Sequence, residues 1–140
     1  MAFFDSRTAT FAFADGTSER ALAPYITELS GLPGPRNLNE VTALGDTGAR
    51  WIPGLENVTI TLSGIYDDTA TTGPDAVLGG GRTATAGRTF SYGPKGSAAT
   101  SVKYSGTAFV SNYEVVARVG NRVEWSATLA VDGTVARGTF

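Results

Sequence analysis

Cysteine and histidine are both absent from this chain of 140 residues. Without cysteine, the protein can form no disulfide, no thiolate nucleophile and no thiolate metal site. Without histidine, it lacks the commonest general base and the commonest metal ligand. A Ser-His-Asp triad is therefore impossible, and no Gly-x-Ser-x-Gly motif occurs either. The composition predicts a protein that is not an enzyme and that has no catalytic residues, metal site or cofactor.

A strong charge of one sign is also missing. The chain has 11 basic and 13 acidic residues, a net charge of -2, and no run of either sign. A protein that holds nucleic acid through its phosphates needs a basic surplus or a basic stripe. No apolar run approaches the ~20 residues that cross a bilayer, and the first twenty residues lack the pattern of a signal peptide. We therefore expect no specific nucleic-acid binding, no membrane association and synthesis in a cytoplasm.

Glycine is abundant, and the remaining pattern is that of strands. Eighteen glycines and six prolines disfavour long helices. Alternation of apolar and polar residues predicts strands over residues 8–14, 20–29, 58–65, 83–92, 101–113, 121–132 and 134–140. We predict a mainly β fold in which residues 1–140 form a single domain, a β-sandwich or barrel of antiparallel strands.

One short helix and no phosphate loop are expected between these strands. Pro74 stands near a helix start and three glycines follow Leu78, so the punctuation predicts a short flanking helix over residues 74–78. The glycine run lacks the Lys and Ser/Thr of a phosphate-binding loop. Asp67 and Asp68 lack the ligand spacing of a calcium loop, and we interpret them as solvated turn residues.

Residues 31–50 form a long protruding loop in this interpretation. Pro33 and Pro35 remove two amide donors, so this segment cannot join a central strand. A short strand is predicted over residues 39–44. Such long loops are uncommon in compact domains and usually functional. Trp51, which follows, either fills the core or anchors the loop in the body or in a subunit contact.

Eight short segments occur in a characteristic order along the chain: 29–34 (LSGLPG), 41–48 (VTALGDTG), 51–56 (WIPGLE), 62–64 (LSG), 74–78 (PDAVL), 92–96 (YGPKG), 103–106 (KYSG) and 137–140 (RGTF). Each segment alone is only a turn or strand signal. Together, in this order and spacing, they resemble the tail tube (major tail) proteins of long-tailed bacteriophages, from the first hairpin to the C-terminus.

The resemblance implies a structural virion protein that is located in the tail and assembles in the host cytoplasm. Its subunits would form hexameric rings that stack into a hollow tube, through which DNA passes without specific binding. It further implies tape-measure, tail initiator and tail terminator proteins as partners. The long loop would then make contacts between rings or subunits, through Leu32, Pro33, Pro35, Arg36, Asn39, Val41, Leu44, Asp46, Arg50 and Trp51.

The polar faces of the last two long strands are the candidates for the tube lumen. A basic wall would bind DNA and slow its transit, whereas an acidic or neutral polar wall would not. The candidate lumen residues are Glu124, Ser126, Thr128 and Asp132. Arg122 and Lys103 share these faces, so the sign of the wall stays open.

Two alternatives remain at this point. The first is the tube subunit of a tailocin or of a type VI-like secretion system, which the sequence of a ring subunit does not separate from a phage tail. The second is a monomeric virion decoration protein or a carbohydrate-binding β-sandwich.

Overall fold

The computed structural model describes residues 3–140, and these contain nine strands and three short helices. The strands are β1 (Thr10–Ala14), β2 (Glu19–Ala21), β3 (Ile26–Ser30), β4 (Arg36–Glu40), β5 (Trp51–Glu56), β6 (Thr59–Ile65), β7 (Arg88–Gly93), β8 (Val102–Val116) and β9 (Glu124–Thr139). The helices are two 3-10 turns (Ser6–Thr8 and Ala23–Tyr25) and one π-helical segment (Asp75–Gly79).

Seven of the strands form one antiparallel sheet, in the order β2-β1-β7-β8-β9-β6-β3. Its centre is the long hairpin of β8 and β9, which pair from Val116 opposite Glu124 to Val102 opposite Thr139. The other two strands, β4 and β5, pair only with each other. The architecture is therefore a seven-stranded body and a separate two-stranded hairpin.

The body sheet curls until its two ends meet. Phe11 of β1 and Ile26 of β3, which stand far apart in the strand order, line the same cleft. Leu29 of β3 and Tyr92 of β7 line this cleft as well. The mainly β, sandwich-like fold predicted from the sequence is thereby confirmed.

The core lies between the two halves of the curled sheet. Along β9, Trp125, Ala127 and Leu129 are buried while Ser126 and Thr128 face away, because successive side chains of a strand alternate in direction. The indole N–H of Trp125 donates to the carbonyl of Ile65 at 2.9 Å, so its burial leaves no unpaired donor. The other fully buried apolar side chains include Phe11, Phe13, Leu22, Ile60, Leu62 and Phe90.

The short helix (Asp75–Gly79) closes one side of this core. It buries Val77 and Leu78, so the helix predicted over residues 74–78 is present. The Tyr113 hydroxyl of β8 donates to Asp75 at 3.1 Å. Burial, reinforced by the negative charge of Asp75, raises the pKa of Tyr113 above its ordinary value. This neutral phenol fixes the helix to the sheet.

Three strand predictions need correction. The strand expected over residues 20–29 is two strands, β2 and β3, because Pro24 lies in a 3-10 turn where its fixed φ and missing N–H are tolerated. The strand expected over 83–92 begins only at Arg88. The strands expected over 121–132 and 134–140, which an Asp132-Gly133 turn signal separates in the sequence, form one strand, β9, with a bulge: Gly133 has φ +90 and the pairing shifts between Ser105 and Thr107.

Candidate assembly surface

The hairpin of β4 and β5, residues 36–56, is called the arm here. Leu38 stands opposite Pro53, and Glu40 stands opposite Trp51. Neither strand pairs through its backbone with a strand of the seven-stranded sheet. The predicted loop is therefore a hairpin, and it extends past residue 50 to Glu56. The strand predicted over 39–44 is β4 (Arg36–Glu40), because residues 42–50 form the turn at the arm tip.

Both faces of the arm carry exposed apolar side chains. Residues that stand opposite each other in an antiparallel pair point to the same side. Leu38 and Trp51 therefore share one face, and Ile52 lies on the other; each is about half exposed, at 53%, 52% and 53%. The six large exposed apolar side chains of the arm are Leu38, Val41, Leu44, Trp51, Ile52 and Leu55. A ribbon that is apolar on both sides has no core of its own to bury them in.

Side chains of the turn order the tip of the arm. The amide of Ala43 donates to the Asp46 carboxylate at 2.7 Å, and the amide of Arg50 donates to the hydroxyl of Thr42 at 2.9 Å. The Arg50 guanidinium lies 3.6 Å from the same aspartate. Leu44, at the apex, is fully exposed. The tip thus presents an apolar side chain on a hydrogen-bonded turn.

The junction between arm and body depends on two glycines and a carboxylate. Gly31 has φ +103 and Gly34 has φ +89, in the region that favours glycine. A Cβ on Gly31 would collide with a backbone oxygen of β6, and one on Gly34 would collide with the side chain of Val58. The Glu56 carboxylate accepts from the Val135 amide of β9 at 3.1 Å. These contacts hold the arm base against β6 and β9.

Trp51 lies on the arm, and it neither fills the core nor anchors the arm in the body. It is 52% exposed and pairs with Glu40 within the arm, so the core-filling interpretation is wrong. The junction uses Gly31, Gly34 and Glu56 instead of Trp51 to join the arm to the body. A subunit contact through Trp51 stays a prediction.

The remaining predicted loop residues lie along one path from the body to the arm tip. Leu32 packs against the core and is partly buried. Pro33 and Pro35 are exposed in the link to β4. The other predicted residues lie on the arm: Arg36, Asn39, Val41, Leu44, Asp46 and Arg50. Sequence reasoning missed Leu38, Ile52 and Leu55. No alternation of apolar and polar residues marked them, because Leu38 is flanked by asparagines and Pro53 and Gly54 interrupt β5.

A second surface is the outward face of β9, called the polar wall here. It comprises Glu124, Ser126, Thr128 and Asp132, on the side of the strand that faces away from the core. Opposite Ser126 and Thr128 stand Ser63 and Thr61 of β6 and Glu114 of β8, which extend the polar surface over three strands. Glu124 stands opposite two apolar residues, Ile65 and Val116. Arg122 lies 3.2 Å from Glu124 and neutralises part of the acidic charge.

Within residues 3–140, no three acidic side chains come close enough together to hold a metal ion. The same residues contain no helix of the length and apolarity that a membrane span requires.

The fold is that of tail tube proteins. No protein-family model matches the sequence, and no curated protein matches it. A chain of the native gene transfer agent virion is similar in structure, with a TM-score of 0.74 at 12% identity over 96% of this chain and 98% of that one. The SPP1 tail tube has a TM-score of 0.73 at 15% identity, over 98% and 80% of the two chains. A chain of the sheath-tube complex of the PVC extracellular contractile injection system has a TM-score of 0.62 at 14% identity, over 93% and 88%.

Proposed function

We propose that this chain is the tube subunit of a phage-type tail, a structural protein whose hexameric rings stack into a hollow tube for DNA delivery. One observation carries the proposal: a tail tube fold bears an arm that exposes apolar side chains on both faces. A similar tail, that of an empty gene transfer agent particle, was determined with C6 symmetry, which supports a ring of six.

The arm explains why this subunit assembles. An isolated two-stranded hairpin is only marginally stable in water. Large exposed apolar patches mark surfaces that bind other molecules. Six such side chains, among them Trp51 and Leu44, are exposed on the arm of one subunit. Docking the arm on neighbouring copies buries them and generates the repeating contacts of a ring or filament.

The polar wall is proposed to line the lumen. Glu124, Ser126, Thr128 and Asp132 form a surface of hydroxyls and carboxylates on the strand face away from the core. Such a surface offers few cations to phosphate groups, so DNA passes without being held. Lys103 is the cation that shares the outward side of β8, and it lies over the ring of Phe140 at 5.3 Å.

The same proposal gives the partners and the location. The protein works in the virion tail after assembly in the host cytoplasm. The resemblance to tail tubes adds a tape-measure protein and tail initiator and terminator proteins as partners. The subunit has no enzymatic role in this proposal, since it acts through its shape and its contacts with copies of itself.

Electron microscopy of the purified protein tests the tube function. At high concentration and moderate salt, the wild-type chain is expected to form stacked rings with an open centre. Dispersed single subunits under all conditions would contradict the proposal and favour a monomeric decoration or carbohydrate-binding protein.

Labelling tests the place of the polar wall separately. Because the chain has no cysteine, Thr128→Cys introduces a unique thiol. A small maleimide should reach this thiol in monomers and in tubes. A maleimide on a bulky polymer should reach it only in monomers, because the polymer does not enter the lumen. Equal labelling of monomers and intact tubes by the bulky reagent would place the wall on the exterior.

A tube of a contractile injection system is the second candidate. The PVC chain and an anti-feeding prophage baseplate chain both share the fold, with TM-scores of 0.62 and 0.64. The gene transfer agent and SPP1 chains have higher TM-scores, 0.74 and 0.73, which favours the phage-type tail. A sheath gene beside the gene for this protein, and a sheath that binds the purified tube, would support the injection system instead.

A further inference from the structure

Besides the arm, a second exposed apolar surface lies at the far end of the long hairpin. The last two residues of β8 and its connection to β9, residues 115–123, are called the distal turn here. It exposes three valines, Val115 at 47%, Val119 at 105% and Val123 at 39%. Val115 pairs with Trp125, and Val123 precedes Trp125 by two residues, so both lie on the core face of the hairpin beyond the point where the core ends. This apolar strip has no cover in the single subunit.

Two hydrogen bonds order the distal turn, one within it and one from the body. The amide of Asn121 donates to the carbonyl of Arg118 at 3.1 Å, and the amide of Tyr66 donates to the carbonyl of Val123 at 3.0 Å. Val119 is therefore presented on a defined turn, as Leu44 is at the arm tip. A surface that is already ordered loses less entropy when it binds.

The arm and the distal turn lie at opposite ends of the body. The arm joins the body where β6 begins, and there Thr59 stands opposite Ala130 of β9. β6 ends at Ile65, which stands opposite Glu124, the first residue of β9 after the distal turn. Six residues of strand separate these pairs, about 20 Å. Leu44 at the arm tip and Val119 in the distal turn are both fully exposed, so the arm does not cover the distal turn of its own subunit and both surfaces are open to other copies.

The charges of the two surfaces are complementary. Glu40 shares the face of Leu38 and Trp51 on the arm, and Arg118 stands beside Val119 on the distal turn. Both are exposed, and neither takes part in a salt bridge among the described residues. Each surface thus offers an apolar strip with one adjacent charge, negative on the arm and positive on the turn.

We infer that the arm of one subunit docks on the distal turn of a second copy of this chain, with Trp51 and Leu44 against the three valines and Glu40 beside Arg118. The inference rests on the proposed tube function and names the surface that receives the arm. Two different surfaces make a head-to-tail contact, which either closes a ring or repeats along an axis. Because the two surfaces lie at opposite ends of the body, we assign the contact to the junction between one ring and the next, where it also sets the direction of growth.

Disulfide trapping tests this contact, because the chain supplies no cysteine of its own. Leu44→Cys and Val119→Cys combined in one chain place a thiol on each surface. Mild oxidation of tubes should give a ladder of covalent multimers, because a disulfide needs Cα atoms within about 7 Å. The matched control combines Leu44→Cys with Ala99→Cys, an exposed position in the connection between β7 and β8, at the arm end of the body. On oxidation, this control should give no covalent multimers.

Charge reversal gives a second readout that needs no cysteine. Glu40→Arg or Arg118→Glu alone places like charges together and should raise the critical concentration for tube growth about tenfold. The double variant restores opposite charges and should return the critical concentration to within about twofold of the wild-type value. Each single variant should melt as the wild-type monomer does, because both side chains are exposed.

The outcomes separate this inference from the function on which it rests. If the wild type forms tubes but neither the ladder nor the charge rescue is seen, the arm docks elsewhere and only the inference fails. Equal cross-linking in the Ala99→Cys control would also overturn it. If the wild type forms no tubes at all, the proposed function fails, and the inference fails with it.

Discussion

The body and the arm of this protein are both built from antiparallel strands, but they treat their apolar side chains in opposite ways. In the body, apolar residues such as Leu129 and Phe90 point to one side of the sheet and are completely buried. In the arm, Trp51 and Ile52 lie on opposite faces and both are about half exposed. Apart from the distal turn, the body buries most of its large apolar side chains, whereas the arm leaves its own exposed for another molecule.

The difference shows where folding and assembly are encoded. A strand with one apolar face needs one partner surface, which the chain itself provides when the sheet curls. A ribbon with two apolar faces needs a partner on each side, and a chain of this length has no second layer for it. Stability of the monomer and competence to assemble should therefore respond to different residues.

Removing the arm should have the largest effect on assembly. Arg36 and Glu56 stand opposite each other, so an Asn-Gly turn can replace residues 37–55 without moving the body. We expect complete loss of tubes in electron microscopy, with the circular dichroism spectrum of a folded β protein. Tubes of normal appearance from this variant would show that the arm is not the assembly element. A variant that unfolds would show that the body depends on the arm.

Truncating a core residue of the body should instead lower the stability of the folded monomer. Leu129 is completely buried among the core residues. Leu129→Ala should lower the free energy of unfolding by about 2–5 kcal/mol, from lost transfer free energy and the cavity left behind. Urea unfolding of the monomer measures this change. The matched control, Ile52→Ala in the arm, should change the same free energy by less than about 0.5 kcal/mol.

Truncating the tryptophan of the arm should weaken assembly without weakening the monomer. Tryptophans at the centre of an interface often contribute about 2 kcal/mol or more to binding. Trp51→Ala should therefore raise the critical concentration for tube growth by roughly thirtyfold, measured by sedimentation. Its melting temperature as a monomer should match the wild-type value. Trp51→Phe keeps an aromatic ring and should retain most of the assembly; a loss equal to that of alanine would argue against packing as the cause.

The body was predictable because alternation is a local signal. The period of two over residues 58–65 and 121–132 predicted both strands and the face that is buried, including Trp125 and Leu129. Their long-range pairing was beyond this signal, because a strand pattern does not specify its neighbour in the sheet. The bulge at Gly133 was missed for a related reason: Asp-Gly fits a turn equally well when its flanking strands are not known to continue.

The arm was predicted as a loop because its strands lack the alternation on which strand predictions depend. In β4, Leu38 is flanked by asparagines, and in β5, Pro53 and Gly54 interrupt the pattern after Trp51 and Ile52. A strand exposed on both faces is under no pressure to alternate, since no core fixes its orientation. A core position was considered for Trp51 because no contact within a single subunit favours an exposed tryptophan. Only a contact with another subunit would favour its exposure.

The smallest effect concerns two aspartates, one in each region, that close turns through their carboxylates. Asp15 accepts from the amides of Thr17 and Ser18 and from Arg20 between β1 and β2, at 2.9, 3.0 and 2.8 Å. Asp46 accepts from an amide at the tip of the arm. If the body folds independently of the arm, Asp15→Asn should lower the melting temperature of the monomer slightly and Asp46→Asn should not.

The dependence of this effect on pH distinguishes lost charge from lost packing. The hydrogen bond from the Ser18 amide, followed by those from Arg20 and Thr17, holds the pKa of Asp15 well below its ordinary value of 3.8. A lowered pKa in the folded state stabilises the protein above the unfolded value, and this contribution is lost as the pH falls through the folded value. The difference in melting temperature between wild type and Asp15→Asn should therefore be constant near neutrality and shrink below about pH 4. A difference that stays the same down to pH 2 would assign the loss to the altered hydrogen-bond geometry of the turn, and not to the charge of Asp15.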